Sequence, residues 1–241
     1  MIGTASVLVC GMGGLGCPVA MILAKSGVTN LVLVDDDVVS LSNLHRQVLF
    51  DDGDIGKKKV SVAKEKLEEA HPNLSVTAID ARLLPENVRE LVRGVDLIIE
   101  GSDNFPTKFM VADACHVERK PVVHGAAIKW RGTAMFVSAA GAPCYRCLFE
   151  DLPGGEAAPN CAEAGVVGPV VGVVGAFMVD LALRAMCGEM ASGELISVDG
   201  KRATARKTRL HPRRNCSLCG EQPTISSIER EQYVEGAYAE E

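Results

Sequence analysis

A glycine-rich turn near the start of the chain has the spacing of a phosphate-binding loop. It runs Gly11-Met12-Gly13-Gly14-Leu15-Gly16. Glycines let the backbone approach a phosphate, and the N-terminus of the following helix offers free N–H groups. Asp35 stands nineteen residues after Gly16, where a carboxylate accepts hydrogen bonds from ribose hydroxyls. The pattern predicts a nucleotide site but not which nucleotide, and taken alone it favours an NAD(P)- or FAD-dependent oxidoreductase.

Polar residues farther along the chain favour ATP over a dinucleotide. They are Ser42, Asn43, Arg46, Lys59, Asp103 and Asn104. A dehydrogenase needs an apolar slot for nicotinamide, whereas these side chains suit a triphosphate and its metal. We expect Arg46 and Lys59 to neutralise phosphate charge as pyrophosphate leaves, and Asp103, at the end of a strand, to hold Mg²⁺. Because lysines 57–59 form a run, an interpretation of Arg46 and Lys59 as solvated surface charges stays open.

Two Cys-x-x-Cys pairs lie far apart in the chain and predict a metal centre. Their members are Cys144, Cys147, Cys216 and Cys219. Four thiolates suit tetrahedral Zn²⁺, which would fasten the C-terminal segment to the domain, with a redox-active dithiol as the alternative. An odd total of nine cysteines argues against a disulfide framework and for a reducing compartment, so we expect a cytoplasmic protein. Four further cysteines are expected to be small core residues: Cys10, Cys17, Cys115 and Cys187.

Cys161 lies in a segment rich in Pro, Gly and Ala, just before a long apolar run. A thiol in such a crossover could reach an activated carboxylate and form a persulfide or acyl link. A single cysteine is more often an ordinary packed residue. The covalent role of Cys161 is therefore a hypothesis that the sequence leaves open.

The elements that must position these residues alternate between strand and helix. Strand patterns cover 5–10, 31–35, 75–79, 95–100, 122–125 and 133–137, and helical patterns cover 15–26, 57–70, 85–92 and 106–118. A long helix at 166–187 and short strands at 195–198 and 203–207 follow. This alternation predicts a Rossmann-like α/β fold with a mainly parallel sheet and helices on both faces.

We expect one domain over residues 1–220, with a nucleotide-binding part at about 1–140 and a crossover and zinc part at about 141–220. Residues 221–241 form an acidic tail that we expect to be partly disordered. The formal net charge of -6 disfavours a nucleic-acid or anionic-membrane partner. The apolar run 166–179 is interrupted by glycine and proline and is too short for a hydrocarbon layer of about 30 Å, so we interpret it as a core helix. The first residues lack the pattern of a secretory signal.

Several of these constellations, in this order, resemble the ThiF/MoeB/HesA family of E1-like enzymes. The resemblance extends from about residue 5 to 220. It is carried by the glycine loop, Ser42-Asn43-Leu44-x-Arg46-Gln47, Asp103-Asn104, Pro143-Cys144-Tyr145-Arg146-Cys147 and Cys161-x-Glu163-Ala164-Gly165-Val166. Family members similar to this chain use ATP to adenylate the C-terminal glycine of a small β-grasp sulfur-carrier protein, and they release pyrophosphate.

The resemblance implies a role for each matching residue. It assigns Gly14 to the phosphate loop, Asp35 to the ribose, and Asn43, Arg46 and Lys59 to the triphosphate, while Asp103 organises Mg²⁺ and the reacting phosphate. It also implies a zinc clamp made by the four paired cysteines, a homodimer, and a partner with a flexible Gly-Gly tail. No rhodanese-like segment follows the zinc cysteines in this sequence, so the resemblance implies a separate sulfur donor.

Two positions depart from the family pattern. Family members usually carry an N-terminal Arg-Tyr-x-Arg-Gln helix whose arginine reaches the neighbouring subunit's triphosphate, and this sequence starts almost at the first strand. Lys129 or Arg131 could substitute for that arginine. Lys108 stands near the place of a family arginine and lacks its planar fork. An NAD(P)-dependent oxidoreductase and a non-catalytic E1-like binding partner therefore stay open as alternatives to the adenylyltransferase.

Overall fold

The computed structural model describes residues 4–152, 165–189 and 192–233. Its strands, in chain order, are β1 Ser6–Cys10, β2 Asn30–Val34, β3 Ser75–Ile79, β4 Leu97–Glu100, β5 Val122–Ile128, β6 Arg131–Val137, β7 Glu194–Asp199 and β8 Thr204–Arg209. Its helices are α1 Gly16–Lys25, α2 Lys59–Ala70, α3 Pro85–Arg93, α4 Phe105–Val117, the short α5 Tyr145–Leu148 and α6 Gly168–Met186. Short 3-10 turns occur at Leu41–Asn43, Asp52–Asp54 and Arg230–Tyr233.

The strands form one sheet in the order β3-β2-β1-β4-β5-β6-β7-β8. Strands β3, β2, β1, β4 and β5 run parallel, and β6, β7 and β8 continue the sheet antiparallel. The predicted α/β class is confirmed, with an antiparallel extension after β5. Strand β8 is the edge strand, and its residues are largely exposed.

Alternating side chains of the parallel strands feed two cores. On β1, Val7 and Val9 pack on one face, and Leu8 and Cys10 pack on the other. The first core contains residues of α1, α2 and α6, and the second contains residues of α3 and α4. Helices therefore cover both faces, which explains why these strands are continuously apolar.

The predicted strands 122–125 and 133–137 were too short at the ends that face each other along the chain. Strand β5 continues through Gly125 to Ile128, and β6 starts at Arg131. A side chain at Gly125 would collide with Met178 of α6, so the glycine allows a close helix–strand contact. The sequence pattern could not show this contact because it joins residues far apart in the chain.

The core prediction for the four other cysteines holds for three of them. Cys10, Cys17 and Cys115 are buried, and burial raises the pKa of the Cys17 thiol to about 12, which keeps it protonated. The prediction was wrong for Cys187, which is exposed. Cys187 is the C-cap residue of α6, so it lies where the helix leaves the core.

A buried ion pair attaches the start of the polar tail to the domain. Asp113 of α4 accepts two hydrogen bonds from the Arg146 guanidinium, at 2.9 and 2.8 Å, and one from the Tyr233 hydroxyl at 2.9 Å. Tyr233 is fully buried, and Ile228 packs in the same core. Residues 221–233 therefore contribute to the core, a contact that their polar composition did not indicate.

Helix α6 is the one helix among the described residues whose length and composition would suit a membrane span. Its 19 residues include Pro169 and several glycines. Val174, Met178 and Leu181 are buried in the first core. In this fold the helix packs on the sheet and on α1, as the core-helix interpretation expects.

Candidate functional site

The strand order reverses between β1 and β4, and the loops after these two strands meet. The Gly101 N–H donates to the Cys10 carbonyl oxygen at 3.0 Å, so both loops leave the sheet side by side. Gly11 has φ of +87°, a conformation that side chains rarely adopt. A side chain at Gly16 would collide with the Gly11 carbonyl oxygen. Open α/β sheets place their ligand crevice at such a reversal point.

Asp35 connects the glycine loop to the end of β2. Its carboxylate accepts hydrogen bonds from the Met12 N–H at 2.6 Å and the Asp37 N–H at 2.9 Å. Burial raises the pKa of Asp35, and the nearby Lys59 ammonium, 3.8 Å away, opposes that shift. The carboxylate therefore fixes the shape of the loop in addition to the ribose role that the sequence suggests.

The crevice holds a polar cleft with a volume of ≈ 330 Å³. Predicted site residues that line it are Gly11, Gly13, Gly14, Asp35, Asn43, Arg46, Lys59, Asp103 and Asn104. Gly16 and Ser42 do not line it, because Gly16 packs on Gly11 and the Ser42 hydroxyl contacts the Ser40 hydroxyl at 3.0 Å. The structure thus brings together residues that are far apart in the sequence.

Lys59 lines the cleft and is not a solvated surface charge. It is 3 % exposed, and its ammonium contacts the Asp37 carboxylate at 2.7 Å. Arg46 is half-buried, and its Cδ lies 3.3 Å from the place where a Cβ at Gly14 would be. Arg46 therefore faces the glycine loop and Lys59 lies beside Asp35 in the same cleft, so the surface interpretation of Lys59 was wrong.

Sequence reasoning missed one side of the cleft. Ala81, Arg82 and Leu83, after β3, line it together with Gln47, and Arg82 adds a third cation. The order of parallel strands contained a usable signal, since β3 ends at the same edge of the sheet as β1 and β2. Lys129 and Arg131, considered as substitutes for the family arginine, are not among the lining residues of this cleft.

A buried ion pair lies beneath the loop that carries Asp103. Glu100, the last residue of β4, is fully buried and accepts a hydrogen bond from the Lys108 ammonium at 2.8 Å. Its other oxygen accepts from the Ser102 N–H at 2.8 Å and also contacts the Ser102 hydroxyl. Burial opposes ionisation, but Lys108 and His124 hold the pKa of Glu100 down to about 2. Glu100 is therefore an ionised anchor for residues 101–103.

A second, mainly apolar cavity with a volume of ≈ 500 Å³ opens on the other side of Asp103. Asp103, Asn104 and Ala127 line both cavities. Phe105, Tyr145 and Phe149 form an aromatic wall, with ring centroids 5.0 Å apart for Tyr145 and Phe149. The floor comes from the antiparallel strands β5 to β7. The sequence predicted most of these strands but not a cavity over them.

The four predicted metal-binding cysteines form one cluster. All four Sγ atoms lie within 4.8 Å of one another. Three of the separations are 3.9 Å for Cys144–Cys147, 3.4 Å for Cys144–Cys216 and 3.4 Å for Cys147–Cys219. Sulfurs in a tetrahedral zinc centre lie about 3.8 Å apart, given Zn–S bonds of about 2.3 Å. The backbone N–H of Arg213 donates to Cys147 Sγ at 3.4 Å, a typical outer contact of a thiolate ligand. The donor set fits zinc.

Cys161 lies outside the described residues, so its hypothetical role receives no structural test.

The fold and these sites define an α/β protein with a polar crevice at its strand-order reversal and a cluster of four cysteines whose donor set fits a metal ion. The model of the ThiF family matches residues 1–219, and the chain belongs to that family.

Relatives of the chain include proteins of bacteria, archaea and eukaryotes. It is 41 % identical over 227 residues to the sulfur carrier protein adenylyltransferase of Thermus thermophilus, covering 91 % of this chain and 84 % of the relative. It is 40 % identical over 234 residues to the SAMP-activating enzyme E1 of Haloferax volcanii, covering 96 % of this chain and 86 % of the relative. It is 38 % identical over 227 residues to the adenylyltransferase and sulfurtransferase MOCS3 of Drosophila sechellia, covering 93 % of this chain. The chain spans about half (50 %) of that relative.

Among solved structures, E. coli MccB with MccA-N7isoASN matches with a TM-score of 0.80 at 21 % identity, covering 91 % of this chain and 68 % of that chain. This similarity supports the fold.

We predict that Lys108→Met destabilises the protein by about 3–5 kcal/mol near pH 7, because it leaves Glu100 buried without its main counterion. Without Lys108 the pKa of Glu100 rises, so the buried carboxyl of the variant binds a proton more readily in acid. The loss of unfolding free energy caused by the substitution is therefore smaller near pH 5 than near pH 7. Urea unfolding of both proteins at pH 7 and pH 5 measures the difference in unfolding free energy. The double variant E100Q/K108M should regain most of the lost stability, because it removes the unpaired buried charge. A loss of less than about 1 kcal/mol for Lys108→Met alone would contradict the interpretation of a buried ion pair.

We predict that Cys219→Ser lowers the metal content from about one zinc per chain to nearly none and opens the C-terminal segment to protease. Atomic absorption and limited proteolysis measure the two effects. Cys187→Ser is the matched control, because Cys187 is exposed and is not part of the cluster. Full zinc content in Cys219→Ser would show that Cys219 is not a ligand.

Proposed function

We propose that this chain is an adenylyltransferase that activates the C-terminal carboxylate of a small β-grasp sulfur-carrier protein with ATP. The names of the Thermus and Haloferax relatives support a carrier substrate. The observation that carries the proposal is the meeting of two unlike cavities at Asp103. The first is polar and contains three cations, and the second is apolar and open to the surface.

The polar cleft suits ATP in shape and charge. No side chain caps the N-terminus of α1, and we assign the backbone of Gly13 and Gly14, which line the cleft just before this helix, to the phosphate oxygens. Asn43, Arg46 and Lys59 are the residues that we assign to the triphosphate. The end of β3, with Ala81 and Leu83, is assigned to the nucleoside side of the cleft.

In the proposed reaction a carrier carboxylate oxygen attacks the α-phosphorus of ATP. The new O–P bond forms while the bond to the bridging oxygen breaks, and pyrophosphate leaves with that electron pair. Both reactants are anionic, so positioning and charge neutralisation supply the catalysis and no protein base is needed. Mg²⁺ would supply further neutralisation of the phosphate oxygens, and Asp103 offers carboxylate oxygens at the place where the cavities meet.

The second cavity is the proposed path of the carrier's Gly-Gly tail. Small and apolar residues line it near Asp103, among them Ala126 and Ala127, and an extended glycine tail needs little width. Sulfur would come from a separate donor. Two links at Cys161 remain predictions: a thioester, formed as its thiolate displaces AMP from the carrier adenylate, or a persulfide, formed by transfer of a sulfane sulfur from the separate donor.

The zinc centre has a structural role in the proposal. Four thiolates leave no open coordination position on tetrahedral zinc. The described cysteines form no disulfide, which suits the reducing cytoplasm.

We predict that Asp103→Ala lowers carrier-dependent ATP–pyrophosphate exchange by about 100-fold or more, because it removes a charge from the reacting phosphate and its metal. Exchange is measured with zinc-loaded protein and a panel of small carriers that end in Gly-Gly. Asp52→Ala is the control, since Asp52 is exposed and lines neither cavity.

Unchanged exchange in Asp103→Ala would remove Asp103 from the mechanism. Absence of exchange with every carrier in the unsubstituted protein would contradict the proposed activity and favour the binding-partner or oxidoreductase alternatives.

We also propose a homodimer. Leu41 and Val48 are 67 % and 61 % exposed, and Val173 of α6 is 46 % exposed. The start of α6 packs against His45, so these apolar side chains belong to neighbouring surfaces. Light scattering should give twice the 25.5 kDa mass of one chain. A single-chain mass at micromolar concentration would contradict the dimer.

A further inference from the structure

The outer rim of the second cavity carries three arginines. Arg131 lies at the start of β6, Arg206 lies on β8, and Arg202 lies in the turn between β7 and β8. All three line the cavity and are exposed. Within the described residues none of the three side chains has a hydrogen-bond or ion-pair partner, unlike Lys207 on the opposite face of β8, which pairs with Glu194.

The rim is positive in a chain that is negative overall. Apart from Asp103 at the inner end, Asp199 is the one acidic residue of the described part of the chain that lines this cavity. Its Oδ1 accepts hydrogen bonds from the backbone N–H groups of Lys201 and Arg202. Three arginines and one aspartate give a local charge of +2, against a net charge of -6 for the chain. Residues 201–214 contain seven lysines and arginines and no carboxylate.

Strand pairing fixes two of the arginines on one sheet face. Arg206 is opposite Ser197, and Ser197 is opposite Thr133, and all three residues line the cavity. Arg131 lies two residues before Thr133, so it shares that face. An exposed apolar floor with a charged rim is the arrangement of a protein-docking surface, in which the rim charges select the partner.

We propose that Arg131, Arg202 and Arg206 bind acidic side chains of the carrier, at positions outside the Gly-Gly tail, and thereby select carriers with an acidic face. This inference rests on the proposed function for the identity of the occupant. The apolar floor takes the tail toward Asp103, and the rim recognises the carboxylates that precede the tail. A neutral or basic carrier would leave the net positive charge of the rim uncompensated and would associate more slowly.

A pair of labelled peptides tests the inference without requiring catalysis. One has four glutamates followed by a neutral spacer and Gly-Gly, and the other has glutamine in place of each glutamate. Fluorescence anisotropy with the full chain should give about tenfold tighter binding of the glutamate peptide at about 0.02 M salt, and this advantage should shrink near 0.5 M as screening increases. Equal binding of the two peptides would overturn the inference.

Two substitutions on the same strand provide the matched comparison. Arg206→Glu should weaken binding of the glutamate peptide about tenfold, while Arg209→Glu, on the opposite face of β8 and with the same change in net charge, should change it less than about twofold. Equal weakening by both variants would indicate a general field effect and overturn the assignment.

A third arm separates a protein partner from a nucleic acid. A single-stranded RNA oligonucleotide that binds more tightly than the glutamate peptide and is weakened only by Arg206→Glu would assign the rim to nucleic acid and overturn the inference. Because peptide binding needs no ATP, a failed exchange assay and a failed binding assay remain distinguishable.

Discussion

The ion pair between Glu100 and Lys108 is the interaction on which both cavities depend. Glu100 ends β4 at the point where the strand order reverses, and Lys108 comes from the helix that follows the Asp103 loop. The same carboxylate holds the Ser102 backbone, so one buried charge fixes the exit of a strand, the entry of a helix and the loop between them. Burying a charged pair is expensive in free energy unless its geometry is good. Its position beneath Asp103 suggests that the precision of this loop matters more than stability alone.

The four-cysteine cluster and the Asp113–Arg146 pair form a second anchor, on the far part of the chain. Arg146 lies between Cys144 and Cys147, and its carbonyl oxygen accepts a hydrogen bond from Arg213 at 2.8 Å. Its guanidinium binds Asp113, which also binds Tyr233. The cysteine cluster, the α4 helix and the beginning of the tail are thereby linked through Arg146. The aromatic wall of the second cavity starts at Tyr145, the residue before Arg146, so this anchor also shapes the proposed path of the carrier tail.

Apolar periodicity and short motifs predicted the helices, the strands and the fold class. They could not predict contacts between residues that are far apart in the chain. Apolar periodicity located the strands and helices because each has a side that must be buried, and spacing alone grouped the four cysteines. The same reasoning missed Arg82, since no motif marks the end of β3. It could not distinguish a buried Lys59 from a surface lysine, because only the approach of Asp35 and Asp37 in three dimensions stabilises the burial. Cys187 was misassigned because an apolar helix face continues past the point where the core ends.

The distribution of charge follows from the proposed chemistry. A carboxylate and a triphosphate repel each other, and a chain with net charge -6 would repel both. Long-range attraction therefore cannot come from the protein as a whole, and cations must be concentrated where the anions meet. The structure has two such concentrations: Arg46, Lys59 and Arg82 around the polar cleft, and the three rim arginines around the apolar cavity. The first group lines the cavity proposed for phosphate and the second lines the cavity proposed for the partner, while Asp103 lines both.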